Sequence, residues 1–215
     1  MVDEGTDVPD AVYRVVLPFM WLCLVSGVAA NRWQLLRRMG HDPIVIRPWR
    51  KTDSPTAHLE RALSLCTLVL MMDVALNAVW PQVIANTVGI KALRESRTMG
   101  CAGLALVTIG FLLGAVAVRQ MGASWRIGID NQSPGPLVSS GLFARVRHPI
   151  YSGMLLATAG MAGVTADLLS VAVAAAAWVG LPVQARLEEA FLLSRHPEEY
   201  RSYLERTGRF WPRIR

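Results

Sequence analysis

Charge and cysteine are both scarce in this sequence. Of its 215 residues only 18% are charged and three are cysteine, whereas 53% are apolar and the mean hydropathy is +0.34. A water-soluble globule of this size rarely carries that balance, so the apolar excess is expected to face lipid. Cys23, Cys66 and Cys101 stand singly in separate apolar runs. No pair has disulfide or zinc-ligand spacing, and no metal is expected. No GxGxxG follows a strand-like run and there is no room for an alternating βαβ domain, which excludes a soluble dinucleotide-type fold. Basic residues are missing ahead of the first apolar run, where Asp3, Glu4, Asp7 and Asp10 stand instead. A secretory signal needs the opposite charge there, so that run reads as a retained helix.

Long apolar runs are abundant. Residues 15–30, 98–118, 150–166 and 168–185 contain no Asp, Glu, Lys or Arg, and 62–79 is interrupted only by Asp73. Crossing a hydrocarbon core takes roughly 17–25 helical residues, so the runs predict an all-α membrane bundle of about five transmembrane helices. The net charge of +6 lies in loops beside those runs, which reports orientation rather than nucleic-acid binding. Residues 31–61 hold seven Lys and Arg, 81–97 hold three, and the tail beyond Ala185 holds seven Arg. Five crossings then place the N-terminus outside and the C-terminus in the cytoplasm, in a bacterial inner membrane. The lipid bilayer is the expected partner.

Two parts are expected: residues 1–121, with three helices and a basic cytoplasmic loop, and residues 122–215, with a loop, a helical hairpin and a capping tail. Gly110 and Gly114 have the spacing that lets two helices approach closely in lipid. The last two apolar runs are separated only near Asp167, so they must form a tight antiparallel hairpin. Residues just before Ile150 and just after Ala185 are thereby brought together on the cytoplasmic side.

Both flanks are polar. Upstream, Ser139, Ser140 and Gly141 mark a turn before Leu142. Arg147, His148, Pro149 and Tyr151 follow where the loop meets the helix. Pro149 suits the first helical turn, which leaves the N–H groups of Ile150 and Tyr151 directed at the cytoplasmic side. A helix start beside a guanidinium suits an anionic ligand group, although a lone Arg there often only snorkels to lipid phosphate. Downstream, Glu188 and Glu189 are expected to emerge directly from the end of the last apolar helix, either as a solvated acidic turn or as acceptors for ribose hydroxyls or an ammonium. Pro197, Glu198 and Glu199 read as a helix start, with Tyr200 and Tyr203 sharing a face at i, i+3. Those tyrosines would cover a flat heterocycle or a sulfonium.

The segment GLFARVRHPIYSG at 141–153, followed 35 residues later by EEAFLLSRHPEEYRSYLERTGRFWP at 188–212, resembles the isoprenylcysteine carboxyl methyltransferase family and its phospholipid methyltransferase relatives. The likeness extends from about residue 122 to the C-terminus. It implies a membrane enzyme that encloses S-adenosylmethionine between the cytoplasmic ends of its last helices and its tail. By this resemblance His148, Tyr151, Gly153, Glu188 and Glu189 match cofactor-pocket positions, and Tyr200, Tyr203 and Arg209 match the tail that closes the site. Arg147, with Glu189 facing it, matches the catalytic position. The implied reaction moves a methyl group to a small or lipophilic acceptor: a carboxylate of isoprenylcysteine type, a thiol or a lipid. The first three helices carry no matching prenyl-recognition element.

Two other readings compete. Sterol reductases share a loosely similar C-terminal element and use a nicotinamide cofactor, but this chain is too short for both their cofactor site and a sterol cavity. A non-catalytic transporter or assembly factor is suggested by Asp73 and Asn77, since an acid within a span is costly and often functional. The pair shares a helix face, and would be an ion site, a buried hydrogen-bond pair facing the third apolar helix, or part of an acceptor cavity.

Overall fold

The computed structural model describes residues 15–39, 55–125 and 136–213. Its elements are α1 (Leu17–Met39), α2 (Pro55–Val79), the short α3 (Pro81–Val88) and α4 (Lys91–Arg94), α5 (Arg97–Met121), α6 (Pro149–Thr165), α7 (Leu168–Arg195) and α8 (Pro197–Arg206). Single 3-10 turns span Gly122–Ser124 and Gly141–Ala144. Among the described residues the extended pairing is limited to two isolated bridges, Gly89 with Asp167 and Val146 with Gly208.

The five apolar runs fall in α1, α2, α5, α6 and α7. Among the described residues three helical stretches are long and apolar enough to cross a membrane: Ala57–Val79, Arg97–Met121 and Leu168–Arg195. Length and composition thus support three of the five expected spans among the described residues. α6 stops at 17 residues, and the C-terminal half of α1 is broken by Arg32 and Arg37.

Small residues decide how α5 and α6 pack. The buried face of α5 is Gly100, Gly103, Val107, Gly110 and Ala117. A Cβ on Gly103 would lie 2.7 Å from the Gly160 carbonyl oxygen, and one on Gly110 would lie 2.5 Å from that of Gly153. The two backbones are thus in contact at both levels, a closeness that only glycine permits and that gives dispersion energy in lipid. Gly114 contributes its backbone nitrogen to the same contact, 3.1 Å from where a Gly153 Cβ would stand.

Leu17, Leu70, Val74, Val107, Met161, Val164 and Val173 form one buried cluster. They come from α1, α2, α5, α6 and α7, so α1 is part of the same bundle. At one end the hairpin turns at Ala166, whose φ of 49° and ψ of 49° cap α6 in the left-handed region. Asp167 then caps α7 by accepting from the Ser170 N–H at 2.8 Å. Asn77 Nδ2 lies 3.2 Å from Asp73 Oδ1 and 3.3 Å from Asp167 Oδ2. The Asp73–Asn77 pair therefore meets the α6–α7 turn, not the third apolar helix, and all three residues are buried.

The other end carries the polar flanks. α7 runs ten residues beyond Ala185 because no helix breaker intervenes before His196 and Pro197. Glu188 and Glu189 consequently lie inside α7 rather than beyond its end, and Glu189 is 8% exposed. Neither residue stands in a turn, and Glu189 is withdrawn from solvent. Pro197 opens α8 as expected, with Glu198 and Glu199 in its first turn and Tyr200 and Tyr203 buried on one face.

Candidate functional site

Glu189 is the centre of a polar cluster that ties the hairpin to the tail. Its Oε1 accepts from Arg147 Nε at 2.9 Å and from Arg209 Nε at 3.0 Å. Its Oε2 accepts from Arg209 Nη2 at 2.5 Å, and the His148 Nε2 atom stands 3.3 Å from Oε1. A carboxylate so far from water needs such partners, since an unpaired buried charge is costly. In return, Glu189 holds Arg209 more strongly protonated than usual, chiefly through this hydrogen bonding.

Arg147 reaches further. Its Nη1 donates to the carbonyl oxygen of Thr207 and, at 3.4 Å, to that of Leu204. Its backbone N–H donates to Gly208 O at 2.9 Å, and that of His148 donates to Arg209 O at 3.0 Å. Ser152 Oγ donates to Phe210 O at 2.6 Å. The tail from Thr207 to Phe210 is laced against the loop and the first turn of α6. Tyr203 adds a bond from its hydroxyl to Phe143 O at 2.6 Å, and burial pushes that phenol up to about 12. Burial also raises Tyr200, helped by the nearby charge of Glu189. Both rings stay neutral at physiological pH.

The second carboxylate differs. Glu188 is a quarter exposed, at 25% of its side chain. It accepts from the Tyr151 hydroxyl and from Gln184 Nε2 at 3.3 Å, and its Oε2 lies 3.7 Å from His148 Nδ1. His148 thus presents one ring nitrogen to each glutamate. Its ring stacks on Tyr151, with centroids 5.4 Å apart and planes within 4°, and Phe210 lies 6.1 Å away. Gln184 is buried, and its Oε1 atom has no hydrogen-bond partner. An orphaned acceptor beside a partly open carboxylate and an aromatic stack fits a ligand that brings hydroxyl or ammonium donors and a flat ring.

The structure gathers Arg147, His148, Tyr151, Glu188, Glu189, Tyr200, Tyr203 and Arg209 at one end of the bundle. Gly153 is placed differently: it belongs to the α5 contact, and the space for its missing side chain is filled by Gly110 and Gly114. Gln184 was not singled out from the sequence. Its position one helical turn before Glu188 is the signal that would have found it.

Residues 103–194 match the isoprenylcysteine carboxyl methyltransferase (ICMT) family. That stretch is what the chain shares with the family. The ICMT match covers most of α5, the loop, α6 and nearly all of α7, and it stops before α8 and the tail. Over 111 residues, 51% of this chain, the sequence is 35% identical to the cobalt-zinc-cadmium resistance protein CzcN of Cupriavidus metallidurans, covering 50% of that protein. Over 132 residues, 60% of this chain, it is 25% identical to the protein-S-isoprenylcysteine O-methyltransferase of Tribolium castaneum, covering 47% of it. The chain spans about half the length of the curated relatives it matches. The solved structure of a eukaryotic intramembrane Ras methyltransferase, ICMT, superposes with a TM-score of 0.53 at 19% identity, over 96% of this chain and 69% of that one. This last likeness establishes a shared fold.

Proposed function

We propose that this chain is an integral membrane methyltransferase that uses S-adenosylmethionine, with its site at the cytoplasmic ends of α6 and α7. The observation that carries the reading is the paired glutamates of the ICMT-matched hairpin. One is locked into the tail, and the other stays partly open beside an unpartnered Gln184 oxygen. Glu188 and Gln184 would accept from the ribose and ammonium donors, while His148, Tyr151 and Phe210 supply aromatic surface. When bound, the cofactor supplies an electrophilic methyl group on a sulfonium.

The protein's own contribution is alignment and exclusion of water. Fixing donor and nucleophile in line removes about 7–11 kcal/mol of entropic and reorganisation cost. A carboxylate or thiolate acceptor brings its own electron pair, so no side chain has to remove a proton. Arg147 keeps its charge throughout. Bonded at once to Glu189 and to the tail carbonyls, it acts by holding the Thr207–Phe210 segment over the site. The acceptor is a small or lipophilic molecule, and the basic tail is cytoplasmic with the N-terminus outside. At the opposite end, the Asp73–Asn77 pair is tied through Asn77 Nδ2 to Asp167, the cap of α7.

The test is transfer of label from S-adenosylmethionine to host membrane extract by the detergent-purified chain, with S-adenosylhomocysteine binding measured in parallel. Saturable binding and a labelled product are expected. Absence of both ends the proposal.

A further inference from the structure

Outside the Glu189 cluster, but at the same end of the bundle, a cleft of about 280 Å³ opens between the loop and the tail. It is lined by Ala144, Arg145, Arg206, Pro212 and Arg213. Three of its five lining residues are arginines and none is acidic. Among the described residues no carboxylate pairs with any of these three guanidinium groups. Like charges gathered in one cleft repel, and an anion is the natural relief.

The arginines are also held in place. The Arg206 guanidinium sits 5.6 Å from the centroid of the Tyr203 ring. Arg213 Nη1 donates to Glu205 O at 2.5 Å. Arg145 is fixed through its backbone, donating to Leu142 O and accepting from the Gly208 N–H, each at 3.1 Å. A site with two of its three guanidinium groups already engaged loses less entropy on binding.

We infer that this cleft binds a phosphate group, carried by an anionic lipid headgroup. Guanidinium forks match phosphate oxygens bidentately, and three of them exceed what the two oxygens of one carboxylate accommodate. The depth favours a lipid as the carrier. Trp211, next to Pro212 in the cleft wall, is 49% exposed, and exposed tryptophan in a membrane protein settles at the headgroup level. The Gly208 to Arg145 bond joins the two walls, and Thr207, one residue earlier, is bonded by Arg147. A headgroup bridging the walls therefore holds the tail against the loop. This assignment does not depend on methyl transfer.

The test uses the full chain in a neutral detergent, titrated with dioctanoyl phosphatidylglycerol and, separately, with inorganic phosphate. Saturable lipid binding is expected, weakened at least tenfold in an Arg145→Gln/Arg206→Gln double variant and unchanged in Arg201→Gln, an exposed cation on α8 outside the cleft. Thermal midpoints of the variants report that they are folded. If inorganic phosphate competes as strongly as the lipid binds, the lipid is overturned as the carrier and the site belongs to soluble phosphate. Lack of saturable binding by either probe, or equal weakening in Arg201→Gln, overturns the cleft as a site.

Discussion

Arg147 Nε and Glu189 Oε1, 42 residues apart in sequence, lie 2.9 Å apart. The bond crosses from the loop before α6 to the middle of the polar end of α7, and Arg209 closes on the same carboxylate from the tail. Three chain segments therefore share one buried charge.

Replacing that charge should be felt as stability first. Glu189→Gln leaves two guanidinium groups around a neutral amide, and breaking a buried pair costs about 3–5 kcal/mol. The upper part of that range is not expected, because the Arg209 side chain is 32% exposed. The expected result is a lower thermal midpoint in detergent, faster proteolysis after Arg206, and weaker S-adenosylhomocysteine binding. A wild-type midpoint would show that the cluster does not hold the tail.

Arg147→Lys keeps the charge but loses the planar fork that serves Glu189 and the Thr207 carbonyl together. Turnover should fall by tenfold or more, about 1.4 kcal/mol, with a smaller change in cofactor affinity. Comparing kcat with the dissociation constant of S-adenosylhomocysteine separates the two effects. Equal losses in both would place Arg147 on the cofactor itself.

At the opposite end, Asp167→Ala removes the cap of α7 and the partner of Asn77, and loss of an N-cap alone costs about 0.5–2 kcal/mol. Both Asp167→Ala and Asp73→Asn should leave S-adenosylhomocysteine affinity unchanged, because their cluster sits at the far end of α7 from Glu188. An affinity loss in a variant with a normal thermal midpoint would contradict this separation.

The helix contact predicts a contrast between two glycines. Gly153→Ala puts a methyl group 2.5 Å from the Gly110 carbonyl oxygen, whereas a Cβ on Gly114 meets nothing within 4 Å. Overpacking costs about 1–3 kcal/mol, so Gly153→Ala should lower the thermal midpoint clearly and Gly114→Ala should leave it near wild type. Loss of cofactor binding by Gly153→Ala without loss of stability would return Gly153 to the pocket.

Much of this was readable from the residues alone. Apolar runs without charges dictate helices in lipid, because no other element satisfies its backbone there without water. The short link at Asp167 forces a hairpin, and the hairpin forces Arg147 toward Glu189. Pro197 with two acids marks the start of α8 by the chemistry of a helix end. The sequence also carried the RHPIYSG element and the paired glutamates, both inside the stretch that matches the family model.

What it left open was which way each group faces and what it meets. Glu188 and Glu189 are adjacent and chemically identical, yet a helix turns successive residues by about 100°, so one enters the arginine cluster and the other stays partly open. Gly153 stands in a motif, but the closeness of α5 makes it a packing residue. Asp73 and Asn77 predict each other through their spacing of four, whereas Asp167 joins them from 90 residues away. Tertiary packing alone decided those partners, because a buried polar group takes whatever donor or acceptor the fold brings within about 3 Å, and sequence separation plays no part in that distance.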